Sequence, residues 1–148
     1  RTGMIEDALE GADVCIGVSA PAIVTPPMVR SMNKDPIIFA LASPVPEILP
    51  HDAHMAGAAI VGTARNEYPN QINYALAFPG IFRGALDVHA TRISDEMKVA
   101  AAHALADYVT QPRKNRILPP LLDRDVVRAV ARAVSAAAVA SGCARSFD

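Results

Sequence analysis

Residues 35–48 read DPIIFALASPVPEI, and this stretch decides the fold. Residues 37–41 form a continuous apolar run, which favours a buried strand, and the Ser-Pro-Val-Pro sequence at 43–46 ends that strand abruptly. Two similar runs flank it, DVCIGV at 13–18 and GAAIVG at 57–62. Because none of the three runs alternates with polar residues, the sequence predicts parallel strands covered on both faces.

Helical segments are expected between these strands. Residues 3–11 have helical character with a glycine stop at Gly11, and Thr25 with Pro26 has the form of a helix start. A short helix is predicted from about 48 to 55. The alternation of helix and strand over about 1–65 predicts an α/β fold, namely the C-terminal part of a Rossmann-like, doubly wound parallel sheet.

A helical C-terminal segment follows over 69–142. We expect helices at 70–77, 80–88, 95–109 and 124–141, with Ser94 capping the third, a proline-containing loop at 110–120 and a glycine stop at Gly142. The last helix is rich in alanine and valine, and its apolar surface predicts packing on the sheet or on another subunit.

The composition excludes several classes of protein. Fourteen basic and fifteen acidic residues give a net charge of −1, so nothing favours binding to nucleic acid or to an anionic membrane. The apolar stretches are too short to span a bilayer, and no signal peptide is visible. Cys15 and Cys143 are expected to be cytosolic thiols, which favours a cytoplasmic protein. The chain starts at Arg1 with what reads as mid-domain sequence, so we expect a fragment of a longer protein.

Several common motifs of nucleotide-binding and hydrolytic sites are absent from this sequence. The sequence contains no GxGxxG, no GxxxxGK[ST] and no GxSxG. His51 and His54 are three residues apart, but a solvated helix surface explains them better than a metal site does, so no metal ligand is predicted. In an open parallel sheet, ligands bind at the carboxyl ends of the strands, which places candidate ligand loops at 19–21, 42–46 and 63–71. Ordinary turn chemistry accounts for those loops equally well.

Longer motifs resemble a known family. The segments GADVCIGVSAP (11–21), DPIIFALASPVPEI (35–48), YPNQIN (68–73) and LAFPGIFRGALD (76–87) are similar, in order, to bacterial malic enzymes. The helix over 91–106 and the turn at 117–119 also fit. The resemblance covers nearly the whole chain and identifies it as the C-terminal half of that family's NAD(P)-binding domain, so residues 1–148 would be a partial domain.

The resemblance implies an activity and a division of labour. Malic enzymes oxidise malate at C2 by hydride transfer to NAD or NADP and release CO2 to give pyruvate, with a divalent metal such as Mg²⁺ or Mn²⁺ acting as Lewis acid. In the family, several functional parts lie upstream of this segment: the catalytic tyrosine and lysine, the metal ligands, the glycine-rich loop and the residue that reads the ribose 2′ position. This part would form one wall of the crevice and would be inactive alone, and the full-length protein would be a homo-oligomer.

Five residues carry the implied contacts. Ser19 and Ala20 would lie along the cofactor, while Ser43, Asn73 and Tyr74 would contact both cofactor and substrate. Ser43 and Tyr74 stand where the family usually has asparagine, and Ala22 and Ala64 replace usual glycines. These departures leave open a second hypothesis, a degenerate, non-catalytic domain with a role in assembly or regulation. A generic Rossmann-type binding module is a third, but it does not explain the long motif agreement.

Overall fold

A computed structural model describes residues 3–145 of the chain. Its elements follow one another as α1 (Ile5–Leu9), β1 (Val14–Gly17), α2 (Pro26–Ser31), β2 (Ile37–Ala40), α3 (Pro50–Met55), β3 (Ile60–Thr63), a 3₁₀ turn (Tyr74–Leu76), α4 (Phe78–Asp87), α5 (Asp95–Tyr108) and α6 (Arg124–Ala140). The chain divides into two compact units: the first runs to Ile72 and includes Arg113–Arg116, and the second comprises Asn73–Pro112 and the chain from Ile117 onward.

The first unit is a three-stranded parallel sheet with helices, in the order β1-β2-β3. The strands pair in simple register, with Cys15 opposite Ile38 and Ile38 opposite Val61. These three side chains lie on the same face of the sheet and form a core with apolar residues of α1, α2 and α3. The predicted α/β, Rossmann-like fold is confirmed.

The sequence predicts strands covered on both faces, whereas residues 3–145 cover only one face of β1. Cys15 is buried, but Val14 and Ile16 on the opposite face are 47% and 65% exposed. Along β2, Ile38 and Ala40 are buried while Ile37 and Phe39 are only half-buried. The reason is that the helices of this unit pack against one face of the sheet. A continuous apolar run in these strands therefore does not indicate that both faces are covered within this unit.

The second unit is helical, and its core lies where α6 meets α4 and α5. Val126, Val130, Val134 and Ala138 are buried along one face of α6, in a core that includes Ile81 of α4 and Met97 of α5. The sequence predicted α6 closely but did not identify α4 and α5 as the helices on which its buried face packs.

Two predicted helix ends, which depend only on neighbouring residues, are confirmed. Ser94 caps α5 as predicted, since its Oγ accepts a hydrogen bond from Met97 N at 3.4 Å. Gly142 follows α6 with φ of +69°, where glycine is favoured. The helix expected over 70–77 is wrong, because Asn70 has a left-handed backbone with φ of +56° and only Tyr74–Leu76 is helical.

No helix within residues 3–145 is long and apolar enough to cross a membrane.

Candidate functional site

The carboxyl ends of the three parallel strands lead into three loops of the first unit. Ser19 and Ala20 follow β1, and Ser43 follows β2; all three residues are exposed. The peptide bond between Ser43 and Pro44 is cis. The arrangement places small, accessible residues at the edge of the sheet where ligands of open α/β folds bind.

Glu47 joins the first two of these loops. Its side chain is buried, with 1% of its surface exposed. Oε1 accepts hydrogen bonds from the Ser19 backbone N–H at 2.9 Å and from the Ser19 hydroxyl at 3.3 Å. Oε2 accepts one from the Ala42 backbone N–H at 2.9 Å. One carboxylate thus holds the residue two positions beyond β1 and the residue immediately before Ser43.

These donors determine the charge of Glu47. Burial by itself raises the pKa of the carboxyl, but hydrogen bonds from the backbone N–H groups of Ser19, Ala42 and Glu47 itself, and from the Ser19 hydroxyl, outweigh it. The pKa of Glu47 therefore lies below its ordinary value, and the group is ionised at neutral pH. Burial, and next the charge of Glu47, raise the pKa of the Cys15 thiol, so this cysteine is held protonated.

Two backbone positions make room for this arrangement. A Cβ at Gly17 would lie 2.6 Å from the carboxyl carbon of Glu47, so the end of β1 must be glycine for the carboxylate to reach Ser19. Ala22 has φ of +56°, in the left-handed region, and its N–H donates to Pro46 O at 3.1 Å. The loop after β1 is therefore tied to the segment around Glu47 by backbone as well as side-chain hydrogen bonds.

Arg65 links the second loop to the third. Its guanidinium donates to the carbonyl oxygen of Pro44 and pairs with Glu67, whose Oε1 also accepts from Arg65 Nε at 2.8 Å. The Arg65 backbone N–H donates to Thr63 Oγ1 at 3.2 Å, and Thr63 is fully buried. Hydrogen bonds therefore connect all three loops at this edge of the sheet.

The two remaining candidates, Asn73 and Tyr74, belong to the second unit. Asn73 caps the 3₁₀ turn, because its Oδ1 accepts from Ala75 N at 2.9 Å. Tyr74 is 71% exposed, and its ring lies 5.5 Å from that of Phe78. Asn73 therefore uses its acceptor on its own backbone, while its amide group remains a potential donor to a ligand.

His51 and His54 both lie in α3, as the sequence predicts. His54 Nδ1 lies 2.9 Å from the carbonyl oxygen of Ala58, at the end of α3. Among residues 3–145, no group of three or more His, Cys, Asp or Glu side chains is placed to hold a metal ion. Both cysteines are free and buried.

Sequence reasoning missed Glu47 and Arg65. A charged residue between Pro46 and the apolar Ile48-Leu49 is a weak signal, because a solvated turn residue has the same pattern. The partners of Glu47 lie 28 and 5 positions away in the chain. They come together only when the parallel strands pair, so no local motif could identify them.

Comparisons with known proteins agree with the resemblance seen in the sequence. Residues 7–139 match the family model described as malic enzyme, NAD binding domain. The chain is 52% identical, over 98% of its length and 36% of the relative, to the bifunctional malic/malolactic enzyme of Bacillus subtilis. It is 43% identical to the NADP-dependent malic enzyme of Halomonas elongata, over 95% of its length and 37% of the relative.

A solved structure agrees with the fold. The crystal structure of malic enzyme from Pyrococcus horikoshii superposes with a TM-score of 0.93 at 49% identity, covering 99% of this chain and 34% of that one. The chain thus spans about a third of the length of each of these three proteins.

Proposed function

Because the chain belongs to the malic enzyme family, within its NAD-binding domain, we propose that the whole protein is an NAD(P)-dependent malic enzyme. It would convert malate to pyruvate and CO2, with this part forming one wall of the cofactor and substrate crevice. The observation that carries the proposal is the set of three loops at the carboxyl ends of the strands, which Glu47 and Arg65 tie together. Such an edge is where parallel α/β sheets bind ligands.

The residues after β1 suit a dinucleotide. Ser19 and Ala20 are small and exposed. Gly17 has no side chain, whereas a Cβ at that position would clash with the Glu47 carboxylate that holds Ser19. When bound, the nicotinamide ring accepts a hydride from the substrate. Ser19 and Ala20 would border the cofactor, and the hydrogen bonds from the Ser19 N–H and hydroxyl to Glu47 would hold this loop in position. NAD and NADP both remain candidates, since the match is to an NAD-binding domain and one relative is named as NADP-dependent.

Ser43, Asn73 and Tyr74 are proposed to contact cofactor and substrate. A serine hydroxyl and an asparagine amide can each donate a hydrogen bond to a carboxylate or a ribose oxygen. For Asn73 the Nδ2 group is the proposed donor, because Oδ1 is used in capping. The exposed Tyr74 ring and hydroxyl would border the substrate or restrict its access.

Divalent metal chemistry is assigned to the rest of the protein. No cluster of metal-ligating side chains is present among residues 3–145. The resemblance implies that the ligands for Mg²⁺ or Mn²⁺ lie upstream of this chain, so that part of the protein would supply the Lewis acid. We further propose that the full-length protein is cytoplasmic, where thiols such as those of Cys15 and Cys143 stay reduced, and that it is a homo-oligomer, as the resemblance implies.

Turnover by the full-length protein tests the proposal. We expect reduction of NAD or NADP that depends on malate and on Mg²⁺ or Mn²⁺, with pyruvate formed in equal amount, and no turnover from residues 1–148 alone. Turnover by residues 1–148 alone would refute the assignment of the chemistry to the rest of the protein. A full-length protein without turnover would favour the second candidate, a degenerate domain, which the departures at Ser43 and Tyr74 support.

The two departures also give a graded prediction for the full-length protein. Ser43→Asn combined with Tyr74→Asn restores the family's usual amides, so kcat/KM for malate should rise at least about tenfold, equivalent to about 1.4 kcal/mol of transition-state stabilisation. Tyr74→Phe is the matched control, since it removes only the hydroxyl and keeps the ring near Phe78. Equal or lower kcat/KM in the double variant would indicate a different substrate or a rearranged site.

A further inference from the structure

Glu47 is a buried anion whose partners among residues 3–145 include no cation. Its side chain is 1% exposed, and from other residues it accepts hydrogen bonds from two backbone N–H groups and one hydroxyl, with none from Lys or Arg. A buried charge without such donors would be strongly unfavourable. The hydrogen bonds of the carboxylate, rather than its packing, therefore account for its presence at this buried position.

The geometry shows what the carboxylate does. Each oxygen receives a backbone N–H from a different loop, Ser19 after β1 and Ala42 before Ser43. Charge-assisted hydrogen bonds are short and directional, so they fix the orientation of both peptide groups. Glu47 itself lies behind the loops and is buried, whereas Ser19 and Ser43 are exposed.

Glu47 also determines which atoms Ser19 can offer to a ligand. Both the N–H and the O–H of Ser19 donate to Oε1. Ser19 is therefore left with acceptors only, the lone pairs of its hydroxyl and its carbonyl oxygen. Such a residue, with a carboxylate behind it, favours a neutral donor such as a sugar hydroxyl or a carboxamide and disfavours a phosphate.

We propose that Glu47 is a positioning residue for dinucleotide binding, which holds the Ser19 and Ser43 loops in register and presents Ser19 as an acceptor to a sugar hydroxyl or carboxamide of the cofactor. This inference rests on the proposed function. Glu47 does not touch the cofactor; it acts through Ser19 and Ala42. Its loss should therefore weaken dinucleotide affinity more than it slows the chemical step.

The test uses the full-length protein with Glu47→Gln, Glu47→Asp and the surface control Glu10→Gln. A glutamine has one acceptor oxygen, so its NH₂ group would face one of the two backbone N–H donors. An aspartate keeps the charge but is one methylene shorter and cannot span both loops. Glu10 is exposed, and its substitution changes the net charge equally.

The readouts are the Kd values for NAD and NADP, the KM and kcat for malate oxidation, and the unfolding midpoint. We expect Kd and KM for the dinucleotide to rise at least about tenfold in Glu47→Gln and by a smaller factor in Glu47→Asp, with kcat changed by less than about threefold. Glu10→Gln should stay within about twofold of wild type. Glu47→Asp keeps the test informative if Glu47→Gln does not fold.

The outcomes separate this inference from the proposed function. Absence of malate turnover in the wild type counts against the proposed function, whereas the ratios of dinucleotide Kd between variants and wild type test Glu47. Unchanged Kd in a folded Glu47 variant would overturn the inference. So would a fall in kcat/KM that follows only the loss of folded protein, because that is the behaviour of a merely structural residue.

Discussion

Gly84→Ala should destabilise the protein even though alanine is the better helix former. Gly84 lies in α4 and faces α6, where a Cβ would come 2.5 Å from the carbonyl oxygen of Ala131 and 2.8 Å from Val134 Cβ. The first of these atoms belongs to the backbone, so a side-chain rotation cannot relieve the clash. The two helices would have to separate, which would also strain the hydrogen bond from Ser135 Oγ to Gly84 O at 2.9 Å.

Three effects decide the sign. Replacing a helical glycine by alanine gains about 1 kcal/mol in helix propensity. Overpacking a helix interface costs about 1–3 kcal/mol, and loss of the Ser135 hydrogen bond costs about 1 kcal/mol more. The net change in the free energy of unfolding should therefore be a loss of about 1–3 kcal/mol for Gly84→Ala.

Urea denaturation of the full-length protein, followed by far-ultraviolet circular dichroism, measures this change. Ala102→Gly is the matched control, because Ala102 is an exposed residue inside α5 and its substitution should cost about 1 kcal/mol through propensity alone. If Gly84→Ala were as stable as wild type or more so, α4 and α6 could not pack as closely as the structure has them.

Two other measurements follow from the backbone and charges of the first unit. Ala22 has φ of +56°, so Ala22→Gly should stabilise the protein by about 0.5–1 kcal/mol. Ala64 is not among the residues with positive φ, so Ala64→Gly should destabilise the protein by about the same amount. Thermal denaturation of both variants measures the two changes, and changes of the same sign would contradict this expectation. Glu47 has a lowered pKa in the folded protein, so its contribution is complete above the ordinary carboxyl pKa and is lost as pH falls through the lowered one. The free-energy difference between wild type and Glu47→Gln should therefore be largest near neutral pH and shrink in acid, and urea titrations at several pH values would contradict this if the difference stayed constant.

The parts of the fold that the sequence predicts are those determined by neighbouring residues. The apolar run of β2, the Ser94 cap of α5 and the glycine that follows α6 each act within a few positions, and all three are confirmed. The order of strands and helices follows from the same local patterns. It is sufficient to predict a parallel α/β sheet, because crossover helices constrain how successive strands can pair.

The errors arise where distant contacts override local preference. Asn70 leaves the helical region because its Nδ2 donates to Val61 O at 3.1 Å and to Lys114 O at 2.8 Å, the latter 44 positions away. A helix over 70–77 could not make both bonds. The partners of α6 were misjudged for a related reason: Gly80 and Gly84, four residues apart, let α4 approach it closely, and that spacing carries information only once the helix interface is considered.

Long-range pairing also explains why a carboxylate suits position 47 better than an apolar residue would. The N–H groups of Ser19 and Ala42 lie beyond the ends of β1 and β2, where sheet pairing no longer supplies acceptors. Leaving a buried N–H such as that of Ala42 without an acceptor costs about 1–3 kcal/mol, which offsets the gain of about 1.5–3 kcal/mol from burying an apolar side chain. A single carboxylate pairs with both N–H groups, on condition that residue 17 is glycine. Glu47 and Gly17 therefore act together. The absence of a side chain at Gly17 leaves space for the carboxylate, and the carboxylate holds the two loops at the edge of the sheet where a ligand is proposed to bind.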